Sequence, residues 1–145
     1  AVCYSTLYGD AVGGFAPIKD IYKTDVWALS RYRNALAREL GQTPPIPERS
    51  ITKEPSAELR PDQKDSDSLP DYPLLDQVLR AYVDEDHGYE ALLSEGFDPE
   101  LVRRVISLVD KAEYKRRQYP PGTKVSVRAF GKDRRLPMTS RWNEQ

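Results

Sequence analysis

Residues 98–122 read DPELVRRVISLVDKAEYKRRQYPPG, and this stretch decides the fold class. Asp98 is a helix N-cap residue, and Pro99 suits the first helical position, where a backbone N–H has no partner to lose. Leu101, Val102, Val105, Ile106, Val109 and Ala112 recur at the spacing that places them on one helix face. The pattern predicts a helix that starts at about residue 99 and stops before Pro120, Pro121 and Gly122. Its last turn carries Lys115, Arg116 and Arg117, where the helix dipole favours cations.

Upstream, Thr24 is the expected cap of a helix running to about Leu40, with Val26, Leu29, Tyr32, Leu36 and Leu40 on one stripe and Gly41 as its stop. A second helix is expected over about Pro73 to Val83, with Leu74, Leu75, Val78, Leu79, Tyr82 and Val83 as its apolar face. A short turn at Tyr89 to Ser94 should end at Gly96. Downstream, Val125 and Val127 alternate with polar residues in at most one short strand. Helix dominates, and the 145 residues do not supply a sheet. Seven of the twelve prolines lie between Gln42 and Pro73, and 41–72 reads as one long Pro-rich, acidic loop. That is too long for an idle connector, and its 54–70 part has little to bury, so poor order is expected there.

The length of 145 residues fits one domain. Lys plus Arg number 22 against 23 Asp plus Glu, but the net charge of -1 hides an asymmetry. Residues 54–100 carry 14 acids and 3 bases, whereas the basic segment 111–135 carries 9 bases and 2 acids. The mean hydropathy is -0.69, and no apolar run approaches the roughly 20 residues of a membrane span. One cysteine, Cys3, excludes an internal disulfide framework, and one histidine, His87, excludes a Cys/His zinc constellation. The expected compartment is the cytoplasm. Glycines at 9, 13, 14, 41, 88, 96, 122 and 131 match neither the P-loop nor the Gly-x-Gly-x-x-Gly spacing. The chain opens on Ala1 in the small, apolar run AVCYSTLYGD, which reads as the middle of a fold and raises the expectation of a fragment.

Three stretches carry candidate chemistry. In YGDAVGGFAPIKD, residues 8–20, Asp10 sits in a glycine-rich loop, and Lys19 and Lys23 follow at the start of the first helix. A carboxylate there suits a ribose or amide and a lysine suits phosphate; spacing alone reads equally as a turn between core elements. In ITKEPSAELRPDQKDSDSLP, residues 51–70, Ser56 can donate to phosphate, against the plainer reading of a solvated loop. In EYKRRQYPPG, residues 113–122, the three bases exceed what capping requires and point to an anionic partner. His87 and Cys3 read as a helix-end residue and a buried thiol. No nucleophile–base set can be assembled around the lone histidine.

These motifs, in this order, resemble the C-terminal portion of the synthetase domain of glutamine-dependent NAD(+) synthetases. The resemblance runs from STLYGDAVGGFAPIKDIYKTDVWALSRYRN to RAFGKDRRLPMTSRW, nearly the whole chain. It implies an α/β fold of the adenine nucleotide alpha hydrolase-like, Rossmann-like kind, with 1–145 as its mainly α-helical C-terminal portion. It also implies a ligase that activates the nicotinate carboxylate of deamido-NAD with ATP and Mg2+, then lets ammonia from glutamine displace AMP. By the same resemblance Lys115 and Asp10 contact deamido-NAD, and Lys23 and Ser56 contact ATP; Arg116 and Arg117 are further anion contacts, and no catalytic or metal-ligating residue is assigned. Tyr114 stands where some relatives have histidine. The family's Ser-Gly-Gly-x-Asp-Ser phosphate loop, its glutaminase domain and that domain's cysteine nucleophile are absent from these 145 residues, so the chain alone is expected to be inactive and to hold no cofactor. A homo-oligomer formed through the synthetase domain is expected. A second reading, of a different class, is a small binding module that sets the basic 111–135 segment on nucleic acid or another anionic partner; the pI of about 5.9 speaks against nucleic acid.

Overall fold

The computed structural model describes residues 2, 3, 9, 11–56 and 61–139, and every regular element in them is helical. The α-helices are α1 (Lys23–Glu39), α2 (Glu48–Thr52), α3 (Tyr72–Leu79), α4 (Tyr89–Ser94), α5 (Pro99–Lys111) and α6 (Glu113–Gln118). A 3-10 turn at Asp65–Asp67 leads into α3, and a π-helical turn at Arg80–Asp84 continues it. The core lies between α3, the π turn, α4 and α5, where Leu75, Val78, Leu92, Val102, Val105 and Ile106 are buried together. α1 packs on α3 from outside.

α5 begins as its sequence dictates, because the Asp98 carboxylate accepts the Leu101 N–H at 2.9 Å. It ends sooner than its periodicity predicts. At Ala112 the backbone flattens to φ -82°, ψ 0°, and α6 starts with Glu113 turned inward, only 3% exposed. The expected single helix is therefore two, broken so that a carboxylate can be buried against the arginines that follow it. Gly41 and Gly96 hold φ of +68° and +91°. At each, the glycine's own N–H and that of the next residue return to carbonyls of the preceding turn, as helix C-termini require.

The expected stripe of α1 is not its core face. Leu29, Tyr32 and Leu40 are exposed, while Asn34 and Ala37 are buried. The inward face runs through Trp27, Ser30, Asn34 and Ala37. Asn34 exchanges two hydrogen bonds with Ile46, its Nδ2 donating to the carbonyl at 2.8 Å and its Oδ1 accepting the N–H at 3.1 Å, which folds the chain back after α1. Thr24 is not the cap either. The helix starts two residues earlier than such a cap implies, with Tyr22 at the cap position, and the Thr24 N–H donates to the Asp76 carboxylate of α3 at 2.8 Å.

The 41–72 loop is interrupted by α2 and by the 3-10 turn. Its described part is closed at the neck: the Asp65 N–H donates to the Pro55 carbonyl at 2.9 Å, and Glu54 holds Lys64 and Ser66, each at 2.7 Å. The expected short strand at Val125 and Val127 is absent among the described residues. Both side chains are exposed, and the segment follows an irregular path across α6 and the loop before α1.

Candidate functional site

The N-terminus of α1 and the chain leaving α2 converge on one cavity. Ile51, 4% exposed, anchors the short α2, and Pro55 stiffens the turn after it. Lys23, Trp27, Lys53, Pro55, Ser56 and Asp65 line a cavity of about 260 Å³. Lys23 and Ser56, far apart in sequence, are thus brought together. Lys53, which the motif reading passed over, joins them. Its signal was a cation three residues before Ser56 in a proline-fixed loop.

Lys23 is held over aromatic rings, with Nζ 5.8 Å from the Trp27 centroid and 5.9 Å from that of Tyr72. Those rings meet edge to face at 5.8 Å. Lys64, then Ser66, hold the Glu54 carboxyl below the usual carboxylate range. The charge of Glu54 is therefore already engaged beside the two cavity lysines. Trp27, Tyr72, Pro55, Pro70 and Leu74 line an adjoining, more apolar cavity of about 510 Å³. Two lysines and a hydroxyl beside an aromatic wall suit a phosphate group whose ligand continues along the wall.

Lys115 lies outside both cavities, half-buried on α6, with Nζ 3.4 Å from the Cys3 carbonyl. Arg116 and Arg117 both pair with the buried Glu113 carboxylate, at 2.9 and 2.8 Å; Arg116 is itself buried and Arg117 is exposed. Asp10 lies outside the described residues. Three further bases of the segment are paired: Lys124 with Asp133 at 2.5 Å, Arg128 with Asp86 at 2.9 Å, and Arg134 with Asp110 at 3.5 Å. Arg134 also stacks 4.2 Å from the Tyr82 centroid. Among the described residues these pairs interrupt the cationic surface of the segment.

A strap, residues 120–136, ties the two sides. Asp20, just before α1, is 8% exposed. Its Oδ2 accepts the N–H groups of Val125 at 2.7 Å and Ser126 at 2.8 Å and the Ser126 hydroxyl at 2.9 Å, and its Oδ1 accepts the Phe130 N–H at 2.5 Å. Burial acts to raise the Asp20 pKa, but the donors on Ser126, Val125 and Phe130 outweigh it and hold the carboxyl below its ordinary value. Among the described residues no group of three or more His, Cys, Asp or Glu side chains could hold a metal ion, and no helix is long and apolar enough to cross a membrane.

With this geometry in place, the comparisons with known proteins are direct. The chain belongs to the NAD synthase family, whose model matches residues 1–119. It is 56% identical over 142 residues to the glutamine-dependent NAD(+) synthetase of Acinetobacter baylyi, covering 98% of this chain and 26% of that protein. It is 50% identical over 142 residues to that of Aquifex aeolicus, with 98% and 24% covered. A solved glutamine-dependent NAD+ synthetase from Acinetobacter baumannii, in complex with adenosine diphosphate, is 46% identical and superposes with a TM-score of 0.51 over 99% of this chain and 24% of that one. The chain thus spans about a quarter of the length of the relatives it matches. The family match ends where the strap begins, whereas the two relatives align through it.

Proposed function

We propose that this chain forms the C-terminal part of the synthetase domain of a glutamine-dependent NAD(+) synthetase, an ATP-dependent ligase. The observation that carries the proposal is the shared cavity of Lys23, Lys53 and Ser56 in a chain of this family. In the reaction, a nicotinate carboxylate oxygen of deamido-NAD attacks the α-phosphorus of ATP and pyrophosphate leaves. Ammonia, drawn from glutamine, then attacks the acyl carbon, and AMP leaves as the amide of NAD forms. Lys23, Lys53 and Ser56 meet the phosphates, where negative charge gathers in the transition state. Lys115, with Asp10, meets deamido-NAD, Arg116 and Arg117 are further anion contacts, and their pairs with Glu113 brace α6 internally.

The 145 residues hold no Ser-Gly-Gly-x-Asp-Ser loop, so backbone cradling of the phosphates falls to the rest of the relatives' length. The described residues do not by themselves make a cage for Mg2+. The α/β, adenine nucleotide alpha hydrolase-like fold is likewise completed outside this chain. The exposed Leu29, Tyr32 and Leu40 of α1 support a protein-covered face and a homo-oligomer. The cytoplasm, where a lone thiol stays reduced, suits the composition.

The test is a product balance on the intact synthetase bearing this sequence. With ATP, magnesium, deamido-NAD and ammonia, it should release AMP, pyrophosphate and NAD in equal amounts. ADP and phosphate in place of AMP and pyrophosphate would refute adenylation.

A further inference from the structure

Besides Arg128 on Asp86 and Arg134 on Asp110 and Tyr82, the strap is joined to its surroundings at two places, the 16–20 loop and α6. At the first, beside the four donors on Asp20, the Lys19 ammonium donates to the Pro120 carbonyl at 2.7 Å and the Ala16 N–H to the Pro121 carbonyl at 2.8 Å. Contact there is so close that a Cβ on Gly122 would lie 2.3 Å from the Ala16 carbonyl oxygen. At the second, Phe130 meets Tyr119 edge to face at 5.3 Å, and Arg117 donates to the Leu136 carbonyl at 2.6 Å. Gly131, at φ +72°, passes where a Cβ would come within 3.0 Å of the Arg116 carbonyl.

Neither helix nor strand satisfies the strap's amides in its 124–130 stretch. The Asp20 carboxylate replaces a ladder there, taking three backbone donors at once. We propose that Asp20 is a positioning residue for deamido-NAD: it fixes the strap between the 16–20 loop and α6, and so sets α6, which carries Lys115, relative to the 16–20 loop. The inference rests on the reading of Lys115 as a deamido-NAD contact. The ATP side does not depend on Asp20. The first turn of α1 is pinned from α3 and the π turn by Asp76 on the Thr24 N–H at 2.8 Å, by Arg80 on Asp25 at 2.5 Å, and by the Tyr22 hydroxyl on Asp84 at 3.0 Å. Lys23 therefore keeps its place when the strap is released.

The experiment uses the intact synthetase with ammonia as nitrogen donor and three variants: Asp20→Asn, Gly122→Ala and Lys115→Ala. Asp20→Asn removes the charge, and Gly122→Ala opens the same contact from the opposite side. Both should raise the KM for deamido-NAD about tenfold or more while the KM for ATP stays within about twofold, because misplacement is felt where geometry is lost. Exchange of the Val125, Ser126 and Phe130 amides should quicken in both. Equal rises in the two KM values, or faster strap exchange with an unchanged KM for deamido-NAD, would overturn the proposal. So would loss of a cooperative melt in both variants, which would make Asp20 a general folding residue. An unchanged KM in Lys115→Ala would overturn the site reading beneath it. A raised KM in Lys115→Ala with Asp20→Asn unchanged would overturn this inference alone.

Discussion

Lys23 stands on the first turn of a 17-residue helix, tied to α3 and the π turn by contacts across 52 to 62 residues of chain. Lys115 stands on a 6-residue helix, beside a strap that closes onto Asp20 across 105 to 110 residues without any regular structure. The first lysine inherits its position from a packed scaffold. The second borrows it from side-chain hydrogen bonds and an internal Glu113–Arg116 pair. Longer closures cost more chain entropy, although only slowly with length, and exposed, irregular segments open first. On the proposed reading, the packed side would meet a phosphate and the strap-held side a large dinucleotide.

The sharpest way to break that comparison is at the packed side. Lys23→Ala should lower kcat by about 10²–10³, the size found when a preorganised charge-stabilising donor is lost. Its melting temperature should barely move, since a cation–π contact at such a site is worth about 0.5–1 kcal/mol. Steady-state kinetics beside a thermal melt would check it, and a large stability loss with intact kcat would mean that Lys23 only props Trp27 and Tyr72. On the other side, Lys115→Ala should lower kcat/KM for deamido-NAD by about one to two powers of ten, from losing a charge-assisted contact worth about 1.5–3 kcal/mol. If that constant holds while stability drops by less than about 1 kcal/mol, Lys115 merely complements the helix dipole.

Part of this was legible in the sequence and part was not, for physical reasons. Asp98, Gly41 and Gly96 act locally, so the start of α5 and the ends of α1 and α4 could be read directly. The α1 stripe could not, because its core face is made of Trp27, Ser30, Asn34 and Ala37, which hydrophobic periodicity does not weigh. The break at Ala112 depends on burying Glu113 against Arg116, and the strap's shape on Asp20, far away in sequence; both are tertiary decisions. Lys23 and Ser56 are candidate phosphate contacts from residue type, and family likeness assigns them to ATP; only the fold shows Lys53 beside them.

Two smaller effects sharpen the contrast. Asp76→Ala removes the acceptor on Thr24 and should cost about 0.5–2 kcal/mol, as losing a helix cap does, measured by denaturant unfolding. It should raise the KM for ATP and spare that for deamido-NAD; the reverse would show the pinning of α1 to be misassigned. The last effect concerns acid. The Asp20 carboxyl is held below its ordinary value, so its contribution is fully present above about pH 4 and fades as pH falls further. Protection factors at the strap, relative to intrinsic amide exchange, should fall there in the wild type, and in Asp20→Asn they should already be low and show no such step. A strap equally protected at low pH would remove Asp20 from its role.

The most direct test of the central claim is a crystal structure of the intact synthetase with a non-hydrolysable ATP analogue. Phosphate oxygens should lie within about 2.7–3.2 Å of Lys23 Nζ, Lys53 Nζ and Ser56 Oγ, with α1 unmoved. A triphosphate bound away from all three, with the cavity filled only by solvent, would contradict the account.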